Sequence, residues 1–390
     1  MTLRDDMPDH ARLRAAGGLK WTAFPDCIGA FVAEMDFGIA PPVAAALQAA
    51  IAAGRTGYPS PALAAELAQA CADWQAERHG WSIAPGRIHA VGDVLGVLEI
   101  ALTRFVAPGT PVVLPTPAYM PFLPVIGLSG RQVLQVPHRL QDGRWRMDLE
   151  AIDAALGAGA GMVLLCNPHN PTGRVFTAAE LGALSEVVAR HGARVFSDEI
   201  HAPLVYPGHR HVPYATVSAD ANAHAITAVS TSKGWNLPGL KCAQMVLGND
   251  DDQARWRSIQ AAAGHGVSSL GMIASIAAWR DGAPWLEQVL GSLQGNRALL
   301  TEWMATQLPE AEFIAPEGTY LAWIDCRRMG LPAAAGSLAR FFREQAKVAL
   351  TDGSECGEAG QGFVRMNFAM PESLLREALA RMTAAVRGVG

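Results

Sequence analysis

The chain has 390 residues, half of them hydrophobic and 17% charged, enough to bury the core of one large domain and a smaller one. A net charge of −5 gives no basic footprint for nucleic acid or anionic lipid, and no uncharged apolar stretch reaches membrane-spanning length. The start, MTLRDDMPDH, lacks the apolar run of a signal peptide, and the six cysteines (Cys27, Cys71, Cys166, Cys242, Cys326, Cys356) have neither metal nor disulfide spacing. The expectation is a cytoplasmic protein with reduced thiols that handles small molecules.

Residues 1–40 show little periodicity; beyond them, short apolar runs alternate with helical patterns. Strands are expected at 111–114, Met162–Cys166, 194–197, 225–230 and 244–247. Each is mostly apolar and bounded by Gly, Pro, Asn or Asp, as strands buried on both faces are. Between them, 177–191 reads as a helix: Thr177 and Glu180 form a capping box, and Leu181, Leu184 and Val188 recur on one face. This alternation implies an α/β fold with a largely parallel sheet. From about 285 the chain turns mainly helical (285–307, 335–347, 372–387), with a strand-like pair at 319–324 and 362–367. The organisation predicted is a large domain over 45–284 and a smaller α/β domain built from 1–44 and 285–390.

Three motifs close expected strands, where open α/β sheets build their sites. Asn167-Pro168-His169-Asn170-Pro171-Thr172-Gly173 presents the Asn170 amide on a tight turn. Ser197-Asp198-Glu199-Ile200-His201 sets a carboxylate at a strand end, where it needs a cation or caps a helix. Ser230-Thr231-Ser232-Lys233 offers an amine for a Schiff base with an aldehyde cofactor, and hydroxyls for that cofactor's phosphate. Each motif alone also fits an ordinary turn. In this order, with 28 residues from Asn170 to Asp198 and 35 from there to Lys233, they resemble the fold-type I pyridoxal-phosphate enzymes, the aspartate-aminotransferase-like superfamily.

Further segments narrow the resemblance over nearly the whole chain. Lys20-Trp21, Phe31-Val32-Ala33-Glu34-Met35-Asp36-Phe37, Asn236-Leu237-Pro238-Gly239-Leu240, Pro316-Glu317-Gly318-Thr319-Tyr320 and Gly362-Phe363-Val364-Arg365-Met366-Asn367 are similar to the MalY/PatB family of cystathionine β-lyases and cysteine-S-conjugate lyases. Members more often have Trp and Asp where this chain has Phe31 and Glu34. The resemblance implies pyridoxal 5'-phosphate on Lys233, with Asp198 at the pyridine nitrogen and Asn170 at the ring's O3'. His201 replaces the tyrosine that aminotransferases carry at its position, and Tyr119 stacks on the ring. Ser230, Ser232, Lys241 and the backbone amides of Val94 and Leu95 hold the phosphate, together with Tyr58 reaching across a homodimer interface. Arg365 clamps the substrate carboxylate, with Ala33, Asn170 and Tyr119 also touching substrate.

Transamination and β-elimination both begin by removing the α-proton, and the pocket selects between them. Dicarboxylate aminotransferases use a second arginine from the partner subunit. The corresponding stretch here, Gly264-His265-Gly266-Val267-Ser268-Ser269, has none, and His265 reads as a pocket or surface-turn residue. The expected activity is a carbon–sulfur β-lyase acting on cystathionine or a related cysteine S-conjugate. The alternative is an aminotransferase or another amino-acid-modifying member of the superfamily, and the family resemblance adds a possible regulatory role through protein binding.

Overall fold

Along the central strands, side chains alternate between two apolar layers. Val112, Leu114, Leu164, Phe196, Ile226 and Met245 face one core, while Val113, Val163, Leu165, Val195 and Val246 face the other. A strand with both faces covered reads as a near-continuous apolar run, which is why these segments stood out in the sequence. The computed structural model describes residues 8–331 and 337–388. The main sheet has strands β1 (Ile88–Val91), β2 (Val112–Thr116), β3 (Val133–Pro137), β4 (Met162–Cys166), β5 (Arg194–Asp198), β6 (Ala225–Val229) and β7 (Ala243–Leu247). Their spatial order is β1-β7-β6-β5-β4-β2-β3. The pairings β6-β5, β5-β4, β4-β2 and β2-β3 are parallel, and β7 runs antiparallel to both its neighbours.

Helices cover both faces. The chain's helices include α1 (Pro41–Ala52), α2 (Pro61–His79), α3 (Val94–Ile100), α4 (Ala178–Arg190), α5 (Ser269–Asp281), α6 (Ala283–Gln307) and α7 (Glu372–Arg387). The predicted capping box opens α4, with the Thr177 hydroxyl and the Glu180 carboxylate each taking the other's backbone N–H. Ser60 caps α2, Pro61 sits at its first position and Gly80, at φ 69°, ends it.

A second sheet pairs β8 (Glu312–Phe313), β9 (Leu321–Asp325), β10 (Thr351–Asp352) and β11 (Phe363–Asn367) in the order β8-β9-β11-β10. The strand pair expected near 319–324 and 362–367 is its centre, with Trp323 opposite Arg365. The short flanking strands carry too few residues to show a period. The helix expected over 335–347 is shorter: residues 335 and 336 lie outside the described residues, and α-helix spans only Leu338–Phe341 before a wider turn.

Candidate active site

Because β4, β5 and β6 are parallel neighbours, their carboxyl ends lie side by side, and the three motifs meet there. Asp198 is the last residue of β5, Asn170 lies on the turn beyond β4, and Lys233 on the turn beyond β6. A cavity of about 160 Å³ joins Lys233, Asp198, Asn170, His201, Tyr119, Ser232, Lys241, Ala33, Val94 and Leu95. An outer cleft of about 830 Å³ shares Lys233, Tyr119 and Ala33 with it and takes in Phe24, Phe31, Met120, Arg343, Leu350 and Arg365.

The Lys233 amine donates to the Ala33 carbonyl at 2.7 Å, and Tyr320 Oη donates to the same oxygen at 2.9 Å. Burial, reinforced by the Arg365 cation and opposed by Glu34 and Asp198, pushes the Lys233 pKa down to about 8. Burial pushes the Asp198 carboxyl up to about 7; the neighbouring Glu199 acts in the same direction, while the Ile200 N–H, 3.0 Å away, and Lys233 pull it back. His201 is held neutral by burial and by the Lys233 and Arg365 charges, and its Nδ1 is buried with no partner.

Arg365 is 2% exposed, yet among the described residues none of its hydrogen-bond partners is a carboxylate. Its Nη2 donates to the Phe31 carbonyl at 2.8 Å and to Thr351 Oγ1 at 3.2 Å, and its Nη1 donates to Asn170 Oδ1 at 3.1 Å. Nε is buried and unpaired. Since a buried cation without an anion is costly, the site is built to receive one. Arg365 also turns the Asn170 carbonyl oxygen toward itself, leaving the amide nitrogen as the end available to a ligand.

The segment 31–37, which had no period, is fastened by side chains. Asn236 brackets Met35 through both backbone groups, and Asn367 donates to the carbonyls of Val32 and Glu34. Lys20 and Trp21 both donate to the buried Asp36 carboxylate at 2.8 Å. Tyr320, Thr351 and the Phe31 carbonyl are site groups for which the residue types alone gave no chemistry.

The expected phosphate residues divide. Ser232 lines the cavity, whereas Ser230 lies behind it and donates to the Cys242 carbonyl at 2.7 Å. Lys241 is ion-paired at 2.7 Å with Asp93, whose side chain caps α3 where Val94 and Leu95 begin. Tyr58 is 92% exposed and lines neither cavity; its nearest ring neighbour is the exposed His265, 6.4 Å away.

A lysine of lowered pKa, a buried carboxylate awaiting a cation, an unpartnered imidazole nitrogen and an unpaired buried arginine suit a cationic, phosphorylated aldehyde ring joined to an amino-acid substrate. The fold and this site define a fold-type I pyridoxal-phosphate-dependent enzyme.

Comparison with known proteins agrees. The family model for class I and II aminotransferases matches residues 27–382. The cystathionine β-lyase of Corynebacterium glutamicum is 36% identical over 381 residues, covering 96% of this chain and 98% of that one. Cystathionine β-lyase PatB of Bacillus subtilis is 31% identical, with 93% of each chain covered. The crystal structure of cystalysin from Treponema denticola, which contains pyridoxal 5'-phosphate, superposes with a TM-score of 0.92 at 26% identity over 99% of each chain. The chain belongs to the class I and II aminotransferase family, in its MalY/PatB branch.

Proposed function

We propose that the protein is a carbon–sulfur β-lyase that cleaves L-cystathionine or a related cysteine S-conjugate to a thiol, pyruvate and ammonia. The observation that carries the reading is the buried, carboxylate-free Arg365 sharing a cleft with Lys233. The names of the relatives matched over nearly their whole length favour elimination over transfer. The outer cleft, about 830 Å³ and partly lined by Phe24, Phe31, Met120 and Leu350, gives room for a large S-substituent.

Bound at Lys233, pyridoxal phosphate supplies an electron sink for the negative charge left at the substrate Cα. Asp198 would pair with the ring nitrogen, Asn170 and the neutral His201 would lie toward its O3', and Tyr119 would stack on the ring. Ser232, Lys241 and the first turn of α3 would hold the phosphate, with Ser230 bracing Ser232 across 2.8 Å. Arg365 takes the α-carboxylate in a two-pronged grip, which fixes the Cα–H bond relative to Lys233. Lys233 Nζ, freed when the substrate amine takes its place, would then remove the Cα proton. The Cβ–S bond breaks readily because a thiol with pKa of about 8.5 is a good leaving group. Lys233 returns its proton to the departing sulfur, and the unsaturated amine that remains hydrolyses to pyruvate and ammonia.

The deciding experiment supplies L-cystathionine without a keto acid and follows pyruvate and free thiol together. Equal release over many turnovers is expected. A stop after about one turnover, relieved by a keto acid, overturns the lyase reading in favour of transamination.

We also propose a homodimer, because Tyr58 lies outside its own chain's cavity. The domain division proposed is 45–284 against 1–44 with 285–390. Among the described residues, no helix is long and apolar enough to cross a membrane, and the six cysteines are free and buried, which supports a cytoplasmic assignment.

A further inference from the structure

The reaction derived above uses only part of the outer cleft. Arg343 lines that cleft and not the inner cavity, and an aromatic wall connects it to the site. Arg365 Nη2 holds the Phe31 carbonyl at 2.8 Å, and the Phe31 ring meets the Phe24 ring edge to face, 5.2 Å between centroids. The Arg343 guanidinium lies over Phe24, 4.9 Å from the ring centroid. A guanidinium resting on an aromatic face keeps its in-plane N–H donors for an anion. The other cations of the cleft are engaged. Lys241 pairs with Asp93 and Arg340 with Glu344, each at 2.7 Å, while Lys233 and Arg365 serve the reaction. The cleft's two carboxylates, Glu34 and Glu355, bear on Lys233 and Arg365 respectively. Arg343 is half-buried, and among the described residues its guanidinium has no hydrogen bond or ion pair.

With the α-carboxylate on Arg365 and Cα at Lys233, the substituent on sulfur has the outer cleft to occupy. Its wall offers apolar rings first and a cation beyond them, which suits methylenes ending in a carboxylate. We propose that Arg343 determines specificity in the outer cleft, and that the preferred substrates are cysteine thioethers whose S-substituent is a short methylene chain ending in a carboxylate. This rests on the lyase reading and narrows its cysteine S-conjugates to an acidic class, to which cystathionine belongs through its distal carboxylate. A neutral S-alkyl chain fills the same apolar wall and leaves Arg343 to water. Because water can reach a half-buried guanidinium, the discrimination is about tenfold, well below that of a fully buried polar site.

The test compares S-carboxypropyl-L-cysteine with S-butyl-L-cysteine, a pair that differs only in the terminal carboxylate. Thiol release by the parent holoenzyme, R343Q and R340Q gives kcat/KM for each thioether. Their ratio within one sample is independent of the fraction of enzyme that is active. The parent should favour the acid about tenfold, and rising salt should shrink that preference. In R343Q the ratio should fall to about one, whereas R340Q should keep it, since Arg340 already has Glu344. A parent without preference overturns the proposal, and so does R343Q with the parent's ratio, which would leave Arg343 as a cover for Phe24. Should R343Q fail to fold, a parent preference that falls with salt and survives R340Q supports the proposal, and one that resists salt or is lost in R340Q overturns it. Release of no thiol from either compound is a failure of the lyase reading alone. The proposal is then decided by binding of L-α-aminosuberate against L-α-aminooctanoate, in which a methylene replaces sulfur, followed through the absorbance of the cofactor. The same tenfold preference, lost in R343Q, supports it, and equal affinities in the parent overturn it.

Discussion

Asp198 and Lys233 are each held away from their ordinary charge state until a partner arrives. In the cofactor-free protein the raised Asp198 pKa means that the folded state binds more protons than the unfolded chain between about pH 4 and 7. This group's contribution to stability therefore falls as pH rises through that window. Asp198→Asn removes the effect. Cofactor-free D198N should gain on the parent by a few kcal/mol between pH 5 and pH 8, at about 1.4 kcal/mol per pKa unit, in paired melting curves. With cofactor bound the order reverses, because the parent then pairs its carboxylate with the ring and the variant does not. Equal pH dependence in the two cofactor-free proteins would show that Asp198 is not the titrating group.

Arg365 calls for a different substitution. Lysine keeps a positive charge but cannot span Asn170, Thr351 and the Phe31 carbonyl while also gripping a carboxylate. Arg365→Lys is expected to raise KM by about tenfold to a hundredfold, the loss of one charge-assisted pair, with a smaller fall in kcat from looser orientation. An unchanged KM with a reduced kcat would assign Arg365 to holding Asn170 rather than to substrate.

At the scale of elements, the turn after β4 converts a strand end into a site. Gly173 has φ 69°, and a Cβ there would overlap Pro316 and crowd the Gly318 carbonyl, while the backbone N–H groups of Glu317 and Gly318 both donate to the Gly173 carbonyl. The Asn170 turn is thus pressed against the approach to β9. Gly173→Ala should cost about 2–4 kcal/mol through combined φ strain and overlap, and should weaken cofactor binding through Asn170. Melting curves and a cofactor titration would check this; a variant that lost stability and kept full affinity would separate the turn from the ring.

This scale also shows what the sequence could and could not convey. Strands β2 and β4 to β7 were legible because burial on both faces leaves a short run that is mostly apolar. Strands of two residues, such as Thr351–Asp352, carry no period to detect. The segment 31–37 is ordered by Asn236, Asn367, Lys20 and Trp21, so its order lies in contacts distant in the chain. Ser230 illustrates the limit within a motif: the spacing offered two equivalent hydroxyls, and the Cys242 carbonyl takes one of them.

At the scale of the whole molecule, each active site gathers groups from distant parts of one chain: the start through Ala33, the central sheet through Asp198 and Lys233, and β11 through Arg365. Tyr58 alone among the expected site residues stands apart, 92% exposed on the loop before α2. If it reaches the phosphate of a partner subunit, two crippled chains can repair each other. Lys233→Ala abolishes its own site, and Tyr58→Ala weakens the site next door. In a mixed dimer, the chain carrying Tyr58→Ala still owns Lys233 and receives an intact Tyr58 from its neighbour. Random exchange of equal amounts makes about half the dimers mixed, each with one complete site, so about a quarter of the parent's site content should return, as expected for a two-fold interface. Activity and cofactor retention would be measured before and after subunit exchange, with sedimentation confirming dimers throughout. No recovery in a demonstrably mixed dimer would place Tyr58 outside the phosphate site, while the roles given to Lys233, Asp198 and Arg365 would be unaffected.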